Sequence, residues 1–128
     1  MTGQDPLARL RELCLALPEV IERPSHGEPT WFVHGKKTFV MFADHHHDDR
    51  VAFWCAAPEG AQETLIASAP QRFFRPPYVG GRGWVGVYLD VPDVDWDLIA
   101  DLVEDAYRVV APKTLVAKLD DGLRPRPS

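Results

Sequence analysis

Only two cysteines, Cys14 and Cys55, occur in the 128 residues, and they share no CxxC spacing. One falls in a helical pattern and the other in a strand pattern, so buried free thiols in a reducing cytoplasm are expected. Long apolar runs are also missing. No stretch approaches the ~18 residues that a membrane span needs, and the start "MTGQDPLARL" has no basic segment followed by an apolar one. A soluble, cytoplasmic protein without membrane contact is the expectation. Cations are in the minority, 14 Lys and Arg against 19 Asp and Glu, for a formal charge of -5. That balance argues against broad, charge-driven nucleic-acid binding unless the positive residues gather locally. Complete catalytic signatures are absent as well: neither HExxH nor GxSxG nor GxxxxGKS/T occurs, and no cofactor is implied. What remains is a chain of single-domain size with 45% hydrophobic residues, enough to bury a core.

The apolar pattern divides that chain into elements. Asp5 can cap a helix that begins at Pro6, and Leu7, Leu10, Leu13, Cys14 and Leu17 repeat at helical spacing until Pro18. "PEVIERPSHGEP" carries too many prolines to predict regular structure. "TWFVH" and "KTFVMFA" read as strands joined by a tight turn at Gly35, and "RVAFWC" as a third strand. A second helix is expected over 59–69, where Ala61, Leu65, Ile66 and Ala69 share a face. "RFFRPPYVGGRG" is a loop with a short strand at Phe73 and Phe74, and "WVGVYLD" alternates as a late strand. Asp93 or Asp95 can cap a third helix over 95–111, followed by a short helical turn in "APKTLVAKLDDG". The expectation is an α+β domain over residues 1–119, with helices on one face of an antiparallel sheet, and a frayed tail over 120–128.

Several residues are candidates for chemistry. In "MFADHHHDDRVAF" two strands flank the histidines, so the run reads as a solvated hairpin turn. Alternation puts His45 and His47 on one side, where they are weak candidates to hold zinc or nickel, but no further ligand is in evidence and no metal is predicted. His26 stands between Ser25 and Glu28, a local grouping that supplies no oxyanion hole, so a role in the loop's hydrogen bonding is preferred to catalysis. Gly80, Gly81 and Gly83 precede a strand rather than a helix and read as loop flexibility instead of a phosphate cradle. Charge carries more information. Residues 64–89 hold Arg72, Arg75 and Arg82 with no acid, whereas residues 90–105 hold seven acids. If the turn bearing Lys36 and Lys37 lies beside that loop, the five cations form one patch for phosphates or an acidic partner. A solvated sheet edge is the alternative. Strict alternation also places Trp54, Trp84 and Tyr88 on the face away from the helices, where they are covered by the loop or line a groove beside Arg75 and Arg82. His26 and Tyr78 complete the set of possible groove residues.

The segments "SHGEPTWFVHGKKTFVMFA", "RFFRPPYVGGRGWVGVYLD" and "DLVEDAYRVVAPKTLVAKLD" follow one another as in the MmcQ/YjbR family of small bacterial proteins, which the chain resembles over nearly its whole length. The shared features are the turn at Gly35 and Lys36, "FRPPY" from Phe74 to Tyr78, the Trp84 strand and the final helix toward Lys113 and Lys118. The resemblance implies a two-layer fold like that of type III secretion chaperones, α-β(3)-α-β(2)-α with one antiparallel sheet. It also implies DNA binding through two wings, here the hairpin of Gly35, Lys36 and Lys37 and the loop of Arg75 and Arg82. It supplies no catalytic residue or cofactor.

Together these readings describe a non-enzymatic binding domain, monomeric or weakly dimeric, that meets DNA or another anion through Lys36, Lys37, Arg72, Arg75 and Arg82. The alternatives are a protein-interaction module like the secretion chaperones, and a small-molecule or metal-binding protein that uses the histidines. Since a hairpin turn contributes little to a core, treatment with a chelator is expected to leave the thermal unfolding midpoint unchanged. A chelator-induced fall in the midpoint would show a stabilising metal.

Overall fold

The computed structural model describes residues 5–45 and 49–123. In chain order they form α1 (Pro6–Leu15), β1 (Val20–Ser25), β2 (Glu28–Val33), β3 (Lys37–Asp44), β4 (Val51–Cys55), α2 (Ala61–Ser68), β5 (Phe73–Phe74), β6 (Val85–Tyr88), α3 (Trp96–Val110) and α4 (Lys113–Leu123). The strands make one antiparallel sheet in the order β1-β2-β3-β4-β6-β5. The fold is therefore α+β, as expected. No helix among the described residues is long and apolar enough to cross a membrane.

Helix starts follow the capping residues. Asp5 accepts the Leu7 N–H at 3.3 Å ahead of Pro6, and Asp95, rather than Asp93, accepts the Leu98 N–H at 3.1 Å to open α3. The hairpins follow a repeated dipeptide. His26 and Gly27 turn β1 into β2 with φ of 53° and 81°, and His34 and Gly35 turn β2 into β3 with φ of 56° and 67°. Two consecutive left-handed residues are what a type I′ hairpin turn needs, and glycine takes the second position without steric cost.

The first of these hairpins adds a strand to the expected arrangement. "VIERPS" pairs with β2 despite Pro24, so four strands rather than three precede α2. Proline is tolerated there because β1 is the sheet's edge, where one side of the strand has no ladder to donate to. At the other end of the chain α4 runs to Leu123, past the residue-119 limit expected for the ordered domain, and residues 124–128 lie outside the described ones. Leu115 and Leu119 are buried, and Arg108 of α3 donates to Asp120 at 2.6 Å.

One face of the sheet carries the core. Glu22, Trp31, Val40, Cys55 and Val85 oppose one another in a row across five strands, under α1 and α3. The β2–β3 register shifts beside this row: Trp31 opposes Val40 and Phe32 opposes Thr38, which leaves Phe39 as the extra residue of a β-bulge. Phe39 turns toward the helices and meets the Tyr107 ring edge-to-face, with centroids 5.8 Å apart. Tyr107, fully buried, donates its hydroxyl to the Pro18 carbonyl at 2.8 Å and so ties α3 to the chain leaving α1. Both cysteines are buried in this layer; burial pushes the Cys14 thiol well up and the Cys55 thiol to about 12, so both stay protonated.

Glu22 is the polar tie of the same face. Its carboxylate accepts from Arg11 of α1 at 2.7 and 2.9 Å and from the Trp31 indole N–H at 3.0 Å. The Arg11 hydrogen bonds hold its pKa below the ordinary carboxylate value, against the opposing effect of burial. With the folded pKa below the unfolded one, this stabilisation is complete above the unfolded pKa and is lost as the pH falls through the folded value. Glu22→Gln keeps an acceptor for Trp31 but removes the charge. It is expected to lower the unfolding free energy at neutral pH by about 1 kcal/mol and to flatten the acid limb of stability against pH. Chemical denaturation from pH 7 to pH 3 checks this; identical acid limbs would contradict it.

Candidate anion-binding groove

The opposite face of the sheet is covered piecemeal by single side chains. Arg23, Thr30, Met41, Trp54, Gly86 and Phe74 oppose one another in a row across all six strands. At the β5 end Phe74 lies flat on Gly86, so close that a Cβ there would come within 2.2 Å of the ring. The same ring stacks on Tyr88 at 4.5 Å, and the Arg50 guanidinium caps Tyr88 from 3.7 Å while pairing with Asp90 at 2.8 Å. At the β1 end the Arg23 guanidinium sits 3.9 Å from the Phe32 centroid. Between these covers the sheet stays open.

The opening is a groove of about 900 Å³, a size typical of small-molecule sites. Thr38, Met41, Trp54, Ala56 and Trp84 line it, and Ser25 and His26 reach it from the β1–β2 turn. One wall is the β2–β3 hairpin with Lys36 and Lys37, beside Val109 and Val110 at the end of α3; the other is the loop bearing Tyr78, Val79 and Arg82. None of the lining residues is acidic, although the whole chain carries a formal charge of -5. Among the described residues Lys36, Lys37 and Arg82 form no salt bridge. A phosphate or carboxylate entering the groove therefore has no competing acid to displace.

The loop wall is held by a buried amide. Gln62 of α2 donates its side-chain N–H groups to the carbonyls of Gly80 at 2.8 Å and Trp84 at 2.5 Å, on either side of Arg82. Its position was readable: Gln62 precedes Leu65, Ile66 and Ala69 at helical spacing, a polar residue inside an apolar stripe, where burial demands partners.

The sequence candidates do not all meet here. Lys36, Lys37 and Arg82 do, with His26, Trp54, Tyr78 and Trp84. Arg72 lies apart: its guanidinium donates to the Pro92 and Asp93 carbonyls at 3.3 and 3.4 Å. Arg75 runs its stem along Gly80, where a Cβ would come within 2.6 Å of its Cγ, so the paired glycines make room for an arginine rather than a phosphate. Tyr88 is outside the groove, beneath Phe74 and Arg50. Trp54 and Trp84 line the groove and are each only 5% exposed, so they form its floor; Tyr78 is 82% exposed.

The histidines separate as well. Nδ1 of His26 lies 3.1 Å from Ser25 Oγ, and one Glu28 oxygen accepts the Asp44 N–H at 3.0 Å, which describes a hydrogen-bonded turn. His45 pairs with the Asp44 carboxylate, and His46 and His47 lie outside the described residues. No group of three or more metal-ligating side chains occurs among the described residues.

The family model described as YjbR matches residues 15–109. Among solved structures, the chain is similar to the crystal structure of DR2400, a DUF419-domain protein of Deinococcus radiodurans. The two share 20% identity over 91% of this chain and 86% of the other, with a TM-score of 0.70, a likeness of fold. A comparison with curated proteins gives no match.

Gln62→Leu, of similar size but without donors, removes the amide donor from the buried Trp84 carbonyl and leaves the Gly80 carbonyl with its Gly83 N–H alone. It is expected to cost about 2 kcal/mol of unfolding free energy and to raise hydrogen exchange at Arg82 and Gly83. A change under about 0.5 kcal/mol, the scale of an ordinary surface substitution, would mean that the loop is held by something else.

Proposed function

The chain belongs to the YjbR family, and we propose that it is a non-catalytic binding domain whose groove takes an anionic polymer, DNA, through Lys36, Lys37 and Arg82. The carrying observation is the segregation of charge. A chain with 19 acidic residues lines a groove of about 900 Å³ with three cations and no acid. Lys36 and Lys37 stand at a tight hairpin turn, which fits the wing role the family resemblance suggests, and Arg82 lines the same groove from the Gln62-anchored loop. The second wing then centres on Arg82 rather than Arg75.

Phosphate contacts of this kind are independent of base sequence and strongly dependent on salt. Fluorescence anisotropy with a labelled oligonucleotide at low ionic strength is expected to show binding that weakens steeply as salt rises. Replacing Lys36 and Lys37 together by Ala, or Arg82 by Ala, should weaken binding for every sequence and reduce the salt slope by about 1 for each phosphate that is no longer neutralised. Arg72→Ala should leave both quantities unchanged. Absence of binding at low salt, or an Arg72→Ala effect as large as the others, would refute the reading; polyglutamate displacing DNA at equal charge would redirect it to an acidic protein.

A further inference from the structure

Tyr78 is held in a conformation that aromatic residues rarely adopt. Its φ is 65°, and the Val79 N–H closes back on the Pro77 carbonyl at 2.6 Å, so Tyr78 is the centre of a left-handed γ-turn. Such a backbone persists only where its surroundings over-determine it. Here they do: Pro76 and Pro77 restrict the approach, the Gly80 N–H donates to the Pro76 carbonyl at 3.1 Å, and Gln62 anchors the Gly80 carbonyl. The ring carried by this turn is 82% exposed at the rim of the groove. The cations of the groove accompany it, with Arg82 in the same loop and Lys36 and Lys37 on the hairpin wall.

We propose that the groove binds an unpaired nucleotide of a single strand, with the base stacked on Tyr78 and the adjoining phosphates held by Lys36, Lys37 and Arg82. This rests on the nucleic-acid reading of the groove and sharpens it. Bases inside a duplex already stack on their neighbours, so only an unpaired base offers a face to a tyrosine, and a recessed groove admits one strand more readily than two. Pre-aiming the ring through backbone strain removes the entropy of ordering it at the moment of binding.

Fluorescein-labelled probes of equal length test this on the full chain: single-stranded oligothymidine, the same strand with abasic sites, and a duplex. The single strand is expected to bind about tenfold more tightly than the abasic strand or the duplex. Tyr78→Ala should lose about tenfold of the single-strand affinity with an unchanged salt slope, and Tyr78→Phe should keep it. Tyr78→Asn preserves a residue suited to the left-handed backbone and removes the ring, so it should behave as the Ala variant; wild-type affinity in Tyr78→Asn would overturn the stacking role. Equal binding of abasic, duplex and single-stranded probes, each weakened by Arg82→Ala, would overturn this inference while leaving the anion-binding groove intact. No binding by any probe at low salt would remove both.

Discussion

A single extra residue in β3 sorts the side chains of this domain into a core and a groove. Without the bulge at Phe39, alternation along β3 would send Phe39 and Met41 to one face and Thr38 and Val40 to the other. With it, Phe39 and Val40 both serve the helix-covered face, where Phe39 meets Tyr107, and Thr38 joins Met41 on the open one. An aromatic ring is thereby moved out of the future groove and a hydroxyl moved in. The bulge also sits just after the Lys36–Lys37 turn, so the strand that carries the groove floor and the hairpin that carries its cations are aimed by the same irregularity.

The two faces then solve different problems. Toward α1 and α3, large apolar side chains close together around one polar tie, the Glu22 carboxylate with Arg11 and Trp31. On the far face no helix is needed across the middle strands, because planar groups lie flat on rings: Phe74 on Tyr88, Arg50 on Tyr88 and Arg23 on Phe32. Flat covers leave gaps where they end, and the gap between them is the groove. Gly86 is essential to that arrangement, since any side chain there would lift Phe74 away.

Electrostatics reinforces the division. Four of the acids after Leu89 serve the structure: Asp90 pairs with Arg50, Asp95 caps α3, and Glu104 and Asp120 pair with Arg108. The Arg50 hydrogen bonds hold the Asp90 pKa below its ordinary value, so that pair remains ionised through neutral pH. Arg72 and Arg75 are likewise engaged, one on backbone carbonyls and one against glycines. Lys36, Lys37 and Arg82 line the groove, where the Arg82 guanidinium lies 5.7 Å from the Trp84 ring centroid.

Local signals made much of the fold legible. Asp5 with Pro6, Asp95, the helical spacing of Leu98 to Val110, and the alternation around Trp84 each act over one or two turns of chain, so they specify elements without reference to the rest. The same dipeptide, His26–Gly27 and His34–Gly35, marks both hairpins, yet Pro24 and Pro29 hid the first; only the sheet order shows that β1 lies at an edge where proline is tolerated. The order of residues likewise determined that 64–89 would carry positive charge without acid and 90–105 acid without positive charge. Which cations would share a site was decided by tertiary structure alone. Arg72, Arg75 and Arg82 are neighbours in sequence, but a loop without periodic structure carries no rule for where side chains point, and its path here is set by Gln62, Gly80 and the Pro92 and Asp93 carbonyls. The meeting of Arg82 with Lys36 and Lys37 across the sheet, and the strained turn that leaves Tyr78 exposed, are long-range packing outcomes for which one-dimensional pattern has no signal.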